Sequence, residues 1–375
     1  MYYRAFQDKS LSALGMGTMR LPVIDGDEGN PDLDAVYEMV DYALAQGINY
    51  FDTAWGYHNG QSEIAIGKAL ARHPRDSFYL ASKFPGYDLA NINKVDEIFE
   101  TQLQKCGVDY FDFYLVHNVC ETNIDAYTDP QLGIVNRLLE RKKTGQIRHL
   151  GFSVHANQAN FERFLACHGE HMEFCQVQLN YLDWSFQNAK AKVDVLNSLG
   201  IPIFVMEPLR GGRLVNLSEA DRSILRQLRP DESTQAWAFR FLESVPGVTV
   251  VLSGMSNLEQ LQDNCRIFEA PAPLSRHEYD TLLQLAERMH KTTGVPCTAC
   301  RYCTEYCSQG LDIPNLLSLY NEHVFTGGGF LAPMAIEAMA ESMRPSACLA
   351  CRACEAVCPQ EIKISEVFQS FMEKL

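Results

Sequence analysis

The sequence predicts an α/β chain: a (β/α)₈ barrel followed by a small, mostly helical, cysteine-rich domain. Three observations predict it. Eight short, nearly continuous apolar runs alternate with helical patterns from Leu11 to about Leu261. Of 13 cysteines, eight crowd into the stretch from Cys297 to Cys358. Between these regions, Glu269-Ala270-Pro271-Ala272-Pro273 carries two prolines that break helical register. The expected division is a barrel over residues 1–270, a linker and helix over 271–291, and the cysteine-rich domain over 292–375.

The apolar runs span residues 11–18, 48–52, 78–83, 111–117, 148–153, 174–178, 202–206 and 248–253. Runs without polar alternation suit parallel strands buried on both faces. Between the first two, Asn30-Pro31-Asp32 reads as N-cap, first-position proline and first-turn acid. Leu33, Val36, Val40, Ala43 and Leu44 then form one stripe that Gly47 ends. Val95, Ile98, Phe99, Gln102, Leu103 and Cys106 repeat at helical spacing, and Gly107 stops them. Eight strand–helix units close a barrel of about 250 residues. The competing doubly wound sheet carries G-x-G-x-x-G after its first strand, and Gly15-Met16-Gly17-Thr18-Met19 does not fit that pattern. Further on, helices are expected over about 275–291, 316–324 and 332–343, with an exposed Gly327-Gly328-Gly329 joining the last two.

Composition narrows function. There are 47 acidic and 32 basic side chains, a net charge of −15. That balance argues against non-specific nucleic-acid binding, which needs a basic surface. No apolar run approaches the roughly 20 residues that span a bilayer. The first residues, Met1-Tyr2-Tyr3-Arg4, lead into polar sequence rather than a secretory signal, so a cytoplasmic location is expected.

Many buried runs end in a polar residue: Asp52, Lys83, His117, Ser153, Gln178 and Ser253. In a barrel, the carboxyl ends of the strands meet at one mouth, where active sites sit. Tyr57 follows Asp52 by a short loop that would carry its hydroxyl over the same mouth. A phenol is a poor acid near neutral pH, at about 10, and a neighbouring ammonium lowers that value. Asp52 would hold Lys83 charged, and His117 would orient a substrate oxygen. Together they make a general acid able to protonate an alkoxide. Taken singly, a buried Asp–Lys pair or a strand-end histidine is more often structural; the four together shift the balance to function.

The segments Phe51-Asp52-Thr53-Ala54-Trp55-Gly56-Tyr57, Ser82-Lys83 and Tyr114-Leu115-Val116-His117 resemble the aldo-keto reductases. So do Gly15-Met16-Gly17-Thr18, Gly151-Phe152-Ser153, Gln176-Val177-Gln178-Leu179-Asn180-Tyr181, Glu207-Pro208-Leu209-Arg210-Gly211-Gly212 and Leu252-Ser253-Gly254-Met255-Ser256-Asn257. The likeness runs in order through almost all of residues 1–268. It implies NAD(P)H-dependent reduction of an aldehyde or ketone, with Asp52, Tyr57, Lys83 and His117 as the catalytic tetrad and Tyr57 as proton donor. It also implies a cofactor laid across the mouth. Ser153 and Gln178 would bind the nicotinamide carboxamide, with Met206 where many members place an aromatic ring. Pro208, Leu209, Gly211 and Gly212 would cover the pyrophosphate. Gly17 and Thr18 would lie at the rim. Gly254, Ser256, Gln260 and Asn264 would lie toward the adenine end, at a helix N-terminus that attracts phosphate. Gly254 and Gln260 stand where many NADPH-using members carry lysine and arginine. Arg210, Arg213 and Arg266 are nearby cations that could substitute, so NADPH or NADH stays open. Trp55, His58, Trp184 and Arg20 are candidates to line the mouth.

Cys297, Cys300, Cys303 and Cys307 have the spacing C-x₂-C-x₂-C-x₃-C, and Cys348, Cys351, Cys354 and Cys358 repeat it, followed by Pro359. This is the bacterial ferredoxin pattern for two [4Fe–4S] clusters, in which the fourth cysteine of each run ligates the other cluster. The expected sets are Cys297, Cys300, Cys303 and Cys358, and Cys348, Cys351, Cys354 and Cys307. Zinc is the alternative for C-x₂-C pairs. Two departures are Ser308, where a proline often follows the first run, and the 40 residues between runs, from Ser308 to Ala347. Carbonyl reduction moves two electrons as one hydride, whereas clusters move electrons singly. One reading is therefore a carbonyl oxidoreductase whose clusters exchange electrons with a redox protein partner, or serve structure alone. The other is an electron-transfer protein whose barrel is a docking or ligand-binding scaffold.

Overall fold

The computed structural model describes residues 1–295, 297, 301–358 and 360–375. Cys300, an expected ligand, and Pro359, the proline after the second run, lie outside the described residues. The chain forms two compact units, Met1–Leu282 and Leu283–Leu375, and the helix Arg276–Thr293 runs from the first into the second.

In the first unit, β1 (Tyr3–Phe6) and β2 (Lys9–Ser12) form an antiparallel hairpin. Eight parallel strands follow: β3 (Leu14–Gly17), β4 (Tyr50–Asp52), β5 (Tyr79–Phe84), β6 (Phe111–Val119), β7 (Ile147–Val154), β8 (Cys175–Gln178), β9 (Ile203–Met206) and β10 (Val248–Ser253). They close into a barrel in sequence order, β10 pairing with both β9 and β3. All eight expected runs supply a barrel strand. The first is divided, because residues 11–12 belong to the hairpin and only 14–17 enter the barrel. The hairpin has a use: Phe6 and Leu11 pack with Tyr50, Phe113, Phe174 and Phe204 in one buried cluster at the amino-terminal end of the strands. That end is thus filled by aromatic packing, which leaves the carboxyl end as the open one.

Local signals set the helices. Leu33–Ala45 is capped by Asp32, whose carboxylate accepts from the Ala35 N–H. Asn30, the expected cap, instead closes the preceding loop through bonds with Asp27 and Ile24. Gly107 takes the left-handed conformation (φ +65°) that ends Val95–Cys106.

In the second unit, the helices Ile313–Thr326 and Ile364–Lys374 are the longest after the shared one. Leu316, Leu317, Ile336, Ile362, Phe368 and Phe371 bury together with Cys303 and Cys354. Gly327 caps the first of these helices at φ +70°, and Gly327 and Gly328 are exposed as expected. The helix expected over 332–343 is shorter, Leu331–Glu337. The Arg344 guanidinium donates to the Glu337 and Met339 carbonyls, and the chain turns there into short 3₁₀ segments. Among the described residues, no helix is long and apolar enough to cross a membrane.

Candidate active site

Barrel register carries Asp52, Lys83 and His117 from the ends of three adjacent strands, β4, β5 and β6, to one mouth. Tyr57 returns over it from the loop after β4. Lys83 is 1% exposed, and its ammonium donates to Asp52 Oδ1 at 2.6 Å, to the Thr53 carbonyl at 2.8 Å and to Tyr57 Oη at 3.2 Å. Gln176 Nε2 donates to the other Asp52 oxygen at 3.3 Å. The His117 ring meets the Tyr57 ring edge-on, centroids 6.2 Å apart. The structure therefore brings all four expected catalytic side chains together.

Electrostatics divides their roles. Burial pushes the Lys83 amine down, but Asp52 and Tyr57 more than offset it, and its pKa lies above the ordinary lysine value. Burial pushes the Asp52 carboxyl up, against the pull of Lys83. For Tyr57 the expected lowering by an ammonium is real but smaller than the cost of burying a phenolate, so its net shift is upward. The phenol thus keeps its proton through neutral pH. Burial, then Lys83 and His155, hold His117 well below the usual histidine value, so its imidazole is neutral. Its Nδ1 finds no hydrogen-bond partner among the described residues.

Behind these groups lies a polar brace that the sequence reading missed. Glu63, fully buried, accepts from Ser82 Oγ and Gln102 Nε2 at 2.7 Å each. Gln102 also donates to the Lys83 carbonyl at 3.0 Å and accepts from the Tyr114 hydroxyl. A polar residue on an otherwise apolar helical stripe was the signal for Gln102. Ser62 bonds the hydroxyls of Thr18 (2.7 Å) and Thr53 (2.9 Å), and Thr18 Oγ1 donates to the Asp52 carbonyl. Thr18, expected at the cofactor rim, is thus a buried strut between β3 and β4.

The expected cofactor residues divide likewise. Ser153 Oγ accepts from the Asn118 N–H at 2.7 Å, and Gln178 Nε2 donates to Asp183 at 2.8 Å. Met206 pairs with Gln178 in register, so the two stand side by side at the ends of β9 and β8. After β9, Glu207, Arg210, Gly211 and Gly212 are all left-handed (φ +58°, +47°, +64° and +88°), and they wind Pro208 and Leu209 into a tight loop. A Cβ on Gly211 would lie 3.4 Å from the Arg20 guanidinium, and one on Gly254 would lie 3.4 Å from the Arg20 stem. Gly17, Gly211, Gly254 and Arg20 therefore meet at one place on the rim. Backbone free of side chains beside a cation fits the phosphates of an extended dinucleotide. Ser256 and Gln260 are exposed near the start of Leu258–Ile267, tied by Gln260 Oε1 accepting from the Ser256 N–H. Asn264 is buried and donates to Ser253 Oγ at 3.1 Å, which makes it a brace.

The expectations for Arg210 and His58 are corrected. Arg210 is buried and pairs with Asp183, so it is engaged within the fold, whereas Arg266 stays exposed beside Asp263 of its own helix. His58 is buried, its Nε2 accepting from the Leu21 N–H at 3.0 Å, so it holds a loop rather than facing the mouth. Trp184 packs on Phe241 and Tyr279, and Trp55 lies under Lys105. Tyr87, not expected, lies edge-on to His117 with centroids 5.2 Å apart.

In the second unit, Cys307, Cys348, Cys351 and Cys354 line one cavity, the same four that the spacing groups into one ligand set. Cys297, Cys303 and Cys358 pack around the same core. Ala350, Arg352 and Arg301 are left-handed (φ +51°, +60° and +67°). Such turns gather backbone N–H groups into anion-binding concavities of the kind found at iron–sulfur sites. Among the described residues, no three Cys, His, Asp or Glu converge closely enough to hold a single ion. The four cysteines on one cavity, beside left-handed backbone, fit a cluster.

The fold and these two sites define an oxidoreductase barrel joined to an iron–sulfur module. Residues 13–287 match the aldo/keto reductase family, to which the chain belongs, and residues 296–363 match a 4Fe-4S dicluster domain. An NADH-specific methylglyoxal reductase of Escherichia coli (strain K12) is 24% identical over 323 residues, 73% of this chain and 97% of that one. A probable aldo-keto reductase of Glycine max is 29% identical over 216 residues, 55% of this chain and 58% of that one. Among solved structures, the holo form of aldo-keto reductase AKR11C1 from Bacillus halodurans superposes with a TM-score of 0.63 at 25% identity, covering 76% of this chain and 96% of that one. An aldo/keto reductase from Klebsiella pneumoniae, in complex with NADP and acetate, shares the fold with a TM-score of 0.61 at 20% identity, covering 76% and 95%.

Proposed function

We propose that the protein reduces a small aldehyde or ketone to the alcohol with NAD(P)H, Tyr57 acting as proton donor. One observation carries this reading: Lys83 Nζ donates to both Asp52 and the Tyr57 hydroxyl from a buried position. Ser153, Gln178 and Met206 would hold a nicotinamide, which would supply the hydride. Tyr57 Oη gives its proton to the developing alkoxide, and the Tyr57 phenolate that remains is stabilised by the Lys83 ammonium at 3.2 Å. Asp52 keeps that ammonium charged and in place. Neutral His117 holds the substrate oxygen beside Tyr57. Arg20, Gly211 and Gly254, which lie together on the rim, would hold the diphosphate.

The cysteine sets Cys297, Cys300, Cys303 and Cys358, and Cys348, Cys351, Cys354 and Cys307, hold two [4Fe–4S] clusters that exchange electrons with a redox protein partner. The cavity lined by Cys307 together with Cys348, Cys351 and Cys354 supports this crossed assignment. The test is NADH and NADPH oxidation by anaerobically prepared protein, with a panel of small carbonyls. Consumption with alcohol formation in wild type, lost in Tyr57→Phe, is the expected result; equal rates in both remove Tyr57 from the donor role.

A further inference from the structure

The loop that carries Tyr57 is held from two sides. His58, Asn59 and Gly60 are successive left-handed residues, at φ +52°, +51° and +85°, a region non-glycine residues seldom enter, Asn and His most readily among them. Such a segment keeps one shape only while its surroundings hold it there. One anchor is His58, bonded to the Leu21 N–H and the Glu28 carbonyl. The other is Lys105, near the end of Val95–Cys106. Its ammonium lies 4.0 Å from the centre of the Trp55 ring and 3.5 Å from where a Cβ on Gly60 would stand. Trp55 and Gly60 flank Tyr57 in the chain, so this one cation packs on the loop before the phenol and fills the space that a side chain at Gly60 would enter after it.

The same ammonium pairs with Glu63 Oε2 at 3.4 Å. The other Glu63 oxygen accepts from Ser82 Oγ and from Gln102, which in turn holds the Lys83 carbonyl. One buried carboxylate therefore joins the strand that carries the amine to the cation that carries the loop of the phenol. A cation over an indole face is attractive and directional, and its pairing with a buried carboxylate fixes where it stands.

We propose that Lys105, acting through Glu63 and Trp55, is a positioning residue for Tyr57. It sets the distance between the phenol and Lys83 while touching neither substrate nor cofactor. This rests on the reading of Tyr57 as proton donor.

The experiment compares Lys105→Met, Lys105→Arg and Trp55→Leu for kcat, KM, the solvent deuterium isotope effect on kcat, and melting temperature. Misplacement of a catalytic group from a distance costs up to roughly 100-fold. Lys105→Met is expected to lose about 10- to 100-fold in kcat with KM nearly unchanged, and to show a larger solvent isotope effect as proton transfer becomes slower. Lys105→Arg is expected to recover most of the rate, and Trp55→Leu to repeat the kcat loss. Should Lys105→Met fail to fold, Trp55→Leu carries the same readouts. Wild-type kcat and isotope effect in these variants overturn the proposal. So does a loss that follows melting temperature and is not recovered by arginine. Tyr57→Phe run in parallel separates the two claims. Wild-type turnover in it overturns the donor reading; its inactivity beside an unaffected Lys105→Met overturns the positioning role alone.

Discussion

The barrel mouth and the cysteine-rich unit assemble reactive groups in opposite ways. At the mouth, Asp52 and Lys83 are 31 residues apart in sequence and 2.6 Å apart in space. Nothing local brings them together; the closed strand order does, and the packed aromatic end formed by Phe6, Phe113, Phe174 and Phe204 holds that order. In the tail, Cys348, Cys351 and Cys354 are neighbours in sequence, and left-handed Ala350 and Arg352 curl the chain around a common centre. The difference teaches where stability comes from. The mouth is built on a core made of the barrel's own apolar and aromatic side chains. The tail has a small core, in which Cys303 and Cys354 are themselves buried members, and a unit of that kind draws folding energy from the metal it binds.

The largest expected effect breaks the comparison if it fails. Removing iron by chelation without oxygen should unfold Leu283–Leu375 and leave the barrel intact. Limited proteolysis, followed beside the loss of visible absorption, checks this; a tail that stays resistant would place it with the barrel. Next comes Lys83→Met. It leaves Asp52 buried without its cation, at a cost of about 3–5 kcal/mol, and removes the charge that receives the phenolate, at a cost of roughly 10²–10⁴ in rate. Denaturant midpoint and kcat, measured together, show whether both losses occur. Smaller is Gly56→Ala. A Cβ there would lie 2.4 Å from the Tyr87 hydroxyl, so Tyr87 must shift from its place beside His117. A loss of roughly three- to tenfold in kcat/KM is expected from such a displacement, and unchanged kinetics would exclude Tyr87 from the mouth's working surface.

The smallest effect is on stability with pH. Burial raises the Glu173 carboxyl, but bonds from His149, Lys142, Gln7 and the Leu150 N–H outweigh it and hold its pKa at about 2. A folded-state value below the unfolded one gives stability that is present above about pH 4.5 and lost as pH falls toward 2. Allowing for solvent screening, the contribution is roughly 1–2 kcal/mol. Urea midpoints at pH 6 and pH 3 should converge in part when Glu173→Gln is compared with wild type. A constant difference between the two proteins would contradict the assignment.

The barrel was legible because parallel strands are buried on both faces and read as apolar runs. The meeting of Asp52, Lys83 and His117 at one mouth was legible because polar residues end those runs, and that of Tyr57 because a short loop follows Asp52. The hairpin was not separable from β3, since residues 11–17 read as one apolar segment and the turn between Phe6 and Lys9 has no glycine. The brace of Glu63, Gln102 and Ser82 was hidden for another reason. Each residue is ordinary where it stands, and only the packing of two helices against β5 makes them one network. His58 shows the reverse error: a histidine beside the site in sequence, spent on backbone in space.

The most direct test of the account is the pH dependence of kcat in wild type and in Tyr57→Phe. Because burial holds the Tyr57 phenol above its ordinary value, wild-type reduction should be flat through neutral pH and fall only on the alkaline side, as the phenol loses its proton. In Tyr57→Phe the residual rate should lack that limb. An alkaline limb of the same height and position in both proteins would contradict the account.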